Sequence, residues 1–431
     1  MGTTDTIIAG RASSSDLAGL AVGNAFSMTI FMFISGVIFA VTPIVAQLYG
    51  AKKFKEIGIK LREILWIAGS LGIFLAILFM NMGVILDALP IEKSITEISE
   101  KYLKAVALGF AFITIFTCLR CYSEGMTLTK PVFFIAFFGM IINIPLDLIF
   151  VYGWFGAPKL GGVGCGIATS IVSFVMMVTI FIYINLNKKY KATQPFTEFT
   201  FPSKETTKEV FKLGTPIGFG IFIELSMFSG AAIILGILGE NIVASHTIAI
   251  NVASLFFMVP LSVGLASATR VGNLIGEGNY RQAKVASHST IYMCILTALL
   301  NVVLIMSFRE LIVGIYTTDE IVFNLAVYLL IFAAIFQLPD GIQMGALGSL
   351  RGYKDTFIPM ILLFISYWIF AMPVGYYLTN TGFSSPMGAA GMWYGMIIGL
   401  SIFSILAVIR LHIIIKKYLK INSNQTELLQ Q

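Results

Sequence analysis

Asn143 and Asp147 stand one helical turn apart inside the apolar stretch IINIPLDLIF (141–150), with Pro145 between them. At that spacing the two side chains share a helix face. The proline has no N–H, so it frees a backbone carbonyl one turn earlier. A carboxylate, an amide oxygen and a freed carbonyl are hard oxygen ligands suited to Na⁺, and the same carboxylate can carry a proton instead. Asp5 and Thr169 are further oxygen donors in apolar surroundings, and the Thr169 hydroxyl can complete an oxygen cage. In the second half of the chain Glu224 is flanked by GFGIFI and LSMF. Asp340 lies in QLPDGIQ with Gln337 and Gln343 at i±3, which makes a polar stripe on one helix. Asp355, in RGYKDT, neighbours Arg351 and Lys354, where a structural ion pair competes with a functional role.

Other chemistries leave no mark. There is no HExxH, GxSxG, Walker loop or GxGxxG, so neither an enzyme nor an ATP-driven pump is indicated. His246, His288 and His412 are scattered and read as helix-end or packing residues. Cys118-x-x-Cys121 has redox spacing but no partnering pair, and with Cys165 and Cys294 it lies in or beside apolar segments, as small buried hydrophobes do. The Met and Phe residues of helices six to eight read as packing or lipid-facing side chains rather than a ligand-binding surface.

The elements that hold these residues are membrane-spanning helices. Of 431 residues, 57% are hydrophobic and only 12% charged, where a soluble domain has about 25% charged. Apolar blocks bounded by charges and Gly/Pro clusters predict spans at 17–49, 63–88, 102–122, 131–153, 163–187, 209–238, 242–269, 286–308, 320–350, 357–379 and 388–415. The opening piece, Met1–Gly10, rises only ~15 Å as a helix, about half the hydrocarbon thickness. It is read as the outer half of a first helix, in a chain whose native start lies upstream. Ile91–Tyr102 is expected to lie along the membrane surface. An ionised carboxylate at the bilayer centre costs at least ~2.5–3.5 kcal/mol, and those retained there mark ion or substrate pathways.

Most of the 28 lysines and arginines fall after helices two, four, six, eight and ten and at the C-terminal end. That side is expected to be cytoplasmic, with the C-terminus inside. The net charge of +6 is therefore a topology signal, not a nucleic-acid footprint. The halves also resemble each other. KPVFFIAFFGMIINIPLDLIF (130–150) aligns with IPMILLFISYWIFAMPVGYYL (358–378), LGGVGCGIA (160–168) with MGAAGMWYG (387–395), and VAQLYGAKKF (45–54) with VGNLIGEGNY (271–280). Six helices per half make a parallel repeat, with a cavity expected at the repeat interface. The division is an N-lobe at 1–187, a basic linker at 188–208 and a C-lobe at 209–431.

Six segments together resemble the multidrug and toxic compound extrusion (MATE) transporters, within them the NorM-like branch. They are DTIIAGRASSSDLAGLAVG (5–23), TPIVAQLYGAKK (42–53), NIPLDLIFVYG (143–153), LGGVGCGIATS (160–170), PIGFGIFIE (216–224) and SLRGYKDT (349–356). The resemblance implies an all-α polytopic MATE/MOP-type fold of twelve helices, the first incomplete, in two pseudo-symmetric six-helix lobes around a V-shaped cleft. It implies a monomeric antiporter of the bacterial inner membrane that exports small organic cations in exchange for Na⁺ or H⁺, with no cofactor beyond the coupling ion. The branch favours Na⁺, with Asp5, Asn143 and Asp147 as its ligands. The family's N-lobe cation site matches Asp5, Asn143, Asp147 and Thr169, and its C-lobe acidic residues match Glu224, Asp340 and Asp355. Aromatic faces would add cation–π contacts to the substrate. The alternative within the superfamily is a flippase for lipid-linked oligosaccharides. Such a cargo needs basic residues in the cleft, and the intramembrane charges here are acids.

Overall fold

The computed structural model describes residues 2–88, 92–382 and 385–430, the side chains of 3, 7, 12, 14 and 422–430 excepted. In chain order its helices are α1 (Gly2–Ala12), α2 (Ser14–Ile38), α3 (Val41–Gly50), α4 (Phe54–Met80), the single turn α5 (Gly83–Asp87), α6 (Lys93–Gly125), α7 (Lys130–Tyr152), α8 (Gly162–Leu186) and α9 (Lys204–Gly236). They continue with α10 (Glu240–Gly276), α11 (Tyr280–Tyr316), α12 (Glu320–Gly352), α13 (Phe357–Phe364), α14 (Met372–Asn380) and α15 (Ala389–Gln430). Among the described residues eleven stretches are long and apolar enough to cross a membrane. The all-α, polytopic expectation holds.

Some boundaries differ from those expected. The span 17–49 is broken at Phe39–Ala40, where α2 stops and α3 begins. Pro43 has no N–H to return to the Phe39 carbonyl, which instead accepts from Thr42 N at 3.3 Å in a tighter turn. Met1 and Ile91, the first residues of two expected short pieces, lie outside the described residues. Of the piece expected along the surface, Lys93–Tyr102 forms the first turns of α6 and is not a separate element. No glycine or proline interrupts the chain between Lys93 and Gly109, and this part packs on α2. Ser99 Oγ donates to the Gly19 carbonyl at 2.8 Å, and Gly23 leaves room for the Tyr102 ring.

Burial explains how a carboxylate comes to sit in so apolar a segment. The buried face of α7 is Val132, Ile135, Gly139, Asn143, Asp147 and Val151, one stripe at helical spacing. Its outer face carries Phe133, Phe134, Phe137 and Phe138, all exposed. In water that patch would drive aggregation; against lipid tails it is the solvated face. The helix is amphipathic with its polar residues inside.

The chain forms two compact units. Unit 1 takes residues up to Tyr49 and Lys53–Gly218; unit 2 takes Gly50–Lys52 and the chain from Phe219 onward, so the boundary falls within α9. In unit 1, α6 packs on α2, α4 and α8, around Leu103, Ala107, Leu119 and Cys118. In unit 2, α12 is the central helix, packed on α10, α11 and α15. Gly264 of α10 and Gly348 of α12 meet backbone to backbone, the small-residue contact that lets membrane helices approach closely. The aligned segments 130–150 and 358–378 differ locally. α7 is one continuous helix, whereas the second passes through a wide turn, Ile365–Ala371, between α13 and α14. Pro373 follows that turn and cannot bond the Ile369 carbonyl, so the extra residue is accommodated where the ladder is already open.

Candidate functional site

In unit 1, α1, α7 and α8 bring together the four residues expected there. Asp5, Asn143 and Asp147 are buried, the last two fully. Asn143 Nδ2 donates to Asp147 Oδ1 at 3.3 Å, and Thr169 Oγ1 donates to Asp5 Oδ2 at 3.5 Å. Asp5 faces Asp147 and Asn143 as well as Thr169. Three buried oxygens of the cluster, Asp5 Oδ1, Asn143 Oδ1 and Asp147 Oδ2, have no hydrogen-bond partner. Buried polar atoms are satisfied in more than about nine cases in ten, so three orphan acceptors in one cluster require an explanation. They are all lone pairs with no donor, which is the complement of a small cation.

The position of α1 is set by its neighbours. Tyr152 OH donates to the Ile8 carbonyl at 3.2 Å, and Cys165 Sγ to the Asp5 carbonyl at 3.7 Å. Beyond α1, Asp16 Oδ1 accepts from Gly162 N, the first residue of α8, at 2.9 Å. Its Oδ2 accepts from Ser13 Oγ at 2.7 Å, while Ser13 Oγ caps α2 by accepting from Asp16 N. Gly161 and Gly162 press directly on Asp16, with no room for a Cβ. Tyr102 also lies within electrostatic range of Asp5 and Asp147. Sequence reasoning gave no role to Tyr102 or Asp16, since each is ordinary for its segment, and read Cys165 as a small buried hydrophobe, which it is.

Unit 2 gathers a second cluster from α9, α12 and the wide turn. Gln343 Nε2 donates to Asp340 Oδ1 at 2.9 Å and toward Glu224 Oε1 at 3.4 Å. Its carbonyl oxygen accepts from Tyr367 OH at 2.9 Å. Asp340, Gln343 and Tyr367 are buried, and Arg351 lies within electrostatic range of Glu224. Glu224 and Asp340 are thus joined through one amide, which orients both carboxylates. Tyr367 was not anticipated; its one signal was its place in the segment that aligns with α7.

Two other expected residues lie elsewhere. Gln337 does not bond Asp340. It donates to the Ala253 carbonyl at 3.1 Å and accepts from Asn301 Nδ2 at 3.2 Å. Asn301 Nδ2 also donates to the Phe256 carbonyl at 3.0 Å, the group that Pro260 leaves without its helical partner. This pair is a repair of a proline break. Asp355 accepts from Arg410 Nε at 2.7 Å and Nη2 at 3.2 Å. It is held in an ion pair with Arg410 of α15 and is not among the residues bonded to Gln343.

Comparison with known proteins places the chain in a family and a fold. Residues 1–149 and 216–377 match the sequence model of the MatE family. The chain is 39% identical over 412 residues to the probable multidrug resistance protein NorM of Acinetobacter baylyi, covering 96% of this chain and 91% of that one. It is 38% identical over 415 residues to the multidrug resistance protein NorM of Vibrio cholerae serotype O1, with 96% and 91% covered. In fold it is similar to a crystal structure of MATE in the bent conformation, with a TM-score of 0.89 at 19% identity, covering 98% of this chain and 92% of that one.

Proposed function

The chain belongs to the MatE family, and from that premise we propose that it is a secondary active exporter of small cationic, amphipathic compounds driven by inward movement of Na⁺. The observation that carries the reading is the unit 1 cluster. Two carboxylates, an amide and a hydroxyl converge in the apolar interior with three acceptor oxygens unpartnered. Asp5, Asn143 and Asp147 would hold the ion, with Thr169 beside them. Asp5 sits on the short helix α1, so filling the site changes how α1 packs on α7 and α8. A bound ion shifts an equilibrium only by its differential affinity for the two states; the cycle therefore requires that the cluster close fully around Na⁺ in only one of them. Glu224 and Asp340 would attract the cationic substrate or a second cation, oriented by Gln343. Asp355, paired with Arg410, is assigned a structural role.

In this reading the protein is a monomer of the bacterial cytoplasmic membrane, with the lysine-rich helix ends and the C-terminus cytoplasmic. It needs no cofactor beyond the coupling ion and no nucleic acid. Residues 1–187 and 209–431 would serve as the lobes of the transport cycle, joined by 188–208. The test is ethidium efflux from proteoliposomes with a Na⁺ gradient and a pH gradient imposed separately. Efflux driven by Na⁺ alone supports the proposal, efflux driven only by the pH gradient replaces Na⁺ with H⁺, and no efflux under either overturns it.

A further inference from the structure

The segment between α8 and α9 is anchored at its start to α6 and further along to α4. Its first turn, Lys188–Thr193, seats two hydroxyls against α6. The Tyr122 and Thr193 hydroxyls bond at 2.6 Å, and Tyr190 OH donates to Ser123 Oγ at 3.1 Å. Next comes Arg62 of α4, donating through Nη1 to the Gln194 carbonyl at 2.8 Å and through Nε to Thr200 Oγ1 at 3.2 Å. Glu63 accepts from Ser203 Oγ at 3.0 Å and from the Thr206 hydroxyl. Lys60 closes the far end on Glu209 at 2.9 Å.

This anchorage holds Phe196–Phe201 out from α4 as a shelf. Trp66 of α4 stacks on Phe201 with centroids 5.9 Å apart and meets Phe199 edge-on at 5.4 Å. Phe199 and Phe201 are each 72% exposed. Between shelf and helix runs an open groove of about 680 Å³, lined mainly by Leu65, Trp66, Ile73, Ile115, Phe196 and Phe199. Trp66 lies just inside the apolar block that begins at Ile64, the level at which tryptophan marks a membrane interface. The segments flanking the groove are basic. Lys188, Lys189, Lys191, Lys204, Lys208 and Lys212 are all exposed. Of the three glutamates among residues 188–212, Glu209 is drawn to Lys60 and Glu198 toward Arg62 at 3.7 Å.

We propose that the shelf is a binding site for one anionic phospholipid, its upper acyl chain in the groove against Trp66 and its phosphate among the lysines. The groove is apolar and open along its length, as an acyl chain requires. The excess of lysine over acid in the segments flanking the groove selects negative headgroups, since each lysine near a membrane surface adds attraction to anionic lipid. Neither unit's carboxylate cluster touches this site, so the inference stands apart from the transport reading.

The test uses the full chain in phosphatidylcholine vesicles containing a minor fraction of dibrominated lipid, as phosphatidylglycerol or as phosphatidylcholine. The difference in quenching between the wild type and Trp66→Phe isolates Trp66. The expected result is that brominated phosphatidylglycerol quenches Trp66 at least about twofold more than the same fraction of brominated phosphatidylcholine. That excess should fall at molar salt, where surface charge is screened within ~3 Å, and in a Lys188→Gln, Lys189→Gln, Lys191→Gln, Lys204→Gln, Lys208→Gln variant. Phe199→Ser with Phe201→Ser, both on the exposed shelf, should lower quenching by either lipid. Equal quenching by the two lipids overturns the proposal, as does an excess that survives both salt and lysine removal.

Discussion

Asp147→Asn changes one charge at the centre of the unit 1 cluster and almost nothing else. The side chain keeps its shape, and the Asn143 amide that now donates to Oδ1 at 3.3 Å still finds a carbonyl oxygen there. The effect is therefore electrostatic. A Na⁺ held about 4 Å from a unit charge, at an effective dielectric near 20, is attracted by about 4 kcal/mol. The amide oxygen remains a neutral ligand, so about half of that is lost; about 2 kcal/mol weakens Na⁺ binding ~30-fold. Two assays read it independently. The Na⁺ concentration for half-maximal ethidium efflux from proteoliposomes should rise by that factor. Thermal unfolding supplies the second, because a ligand bound only to the folded state stabilises it by RT ln(1 + [L]/Kd). At a Na⁺ level 100 times the wild-type Kd the gain is about 2.7 kcal/mol for the wild type and about 0.9 for the variant. If neither the half-saturating Na⁺ nor the Na⁺-dependent stabilisation moves, the cluster does not bind the ion and the orphan oxygens need another explanation.

Three further outcomes follow from contacts outside that cluster. Asp16→Ala removes acceptors for Gly162 N and Ser13 Oγ and should cost about 1.5–3 kcal/mol in denaturant unfolding, while Asp16→Asn should cost less than half as much. Gly348→Ala places a methyl against the Gly264 backbone; overpacking of about 1–3 kcal/mol should lower the melting temperature in detergent, and an unchanged melt would mean that α10 and α12 do not cross there. A double variant Asp355→Asn, Arg410→Gln should export ethidium at the wild-type rate and lose no more than about 1 kcal/mol of stability; a loss of transport would give Asp355 the functional role denied to it above.

The spans, and the acids within them, were legible because a bilayer imposes a one-dimensional rule. About 20 apolar residues are needed to cross it, and a carboxylate inside such a run is costly enough to be noticed. Family resemblance was legible for a similar reason, since its motifs are contiguous. Helix continuity was harder. The surface-lying piece expected up to Tyr102 proved to be the start of α6, because a polar stretch without a breaker continues a helix when it has a partner, here Gly19 and Gly23 of α2.

Which polar residues meet is a different question, decided by helix rotation and packing over long separations. Thr169 reaches Asp5 across 164 positions, and Asp355 pairs with Arg410 across 55. Gln337 and Gln343 flank Asp340 symmetrically in the sequence, yet only Gln343 bonds it. Gln337 is claimed by the repair of the Phe256 carbonyl, a demand created by Pro260 on another helix. Apolar residues cover the lipid-facing side of these helices as well as the packed side, so apolar periodicity alone does not reveal which face is buried. The amino-acid sequence by itself determined that this chain is a bundle of membrane helices with acids inside them. Only the tertiary structure decided which oxygens converge without partners, because that depends on which stripe of each helix the others cover.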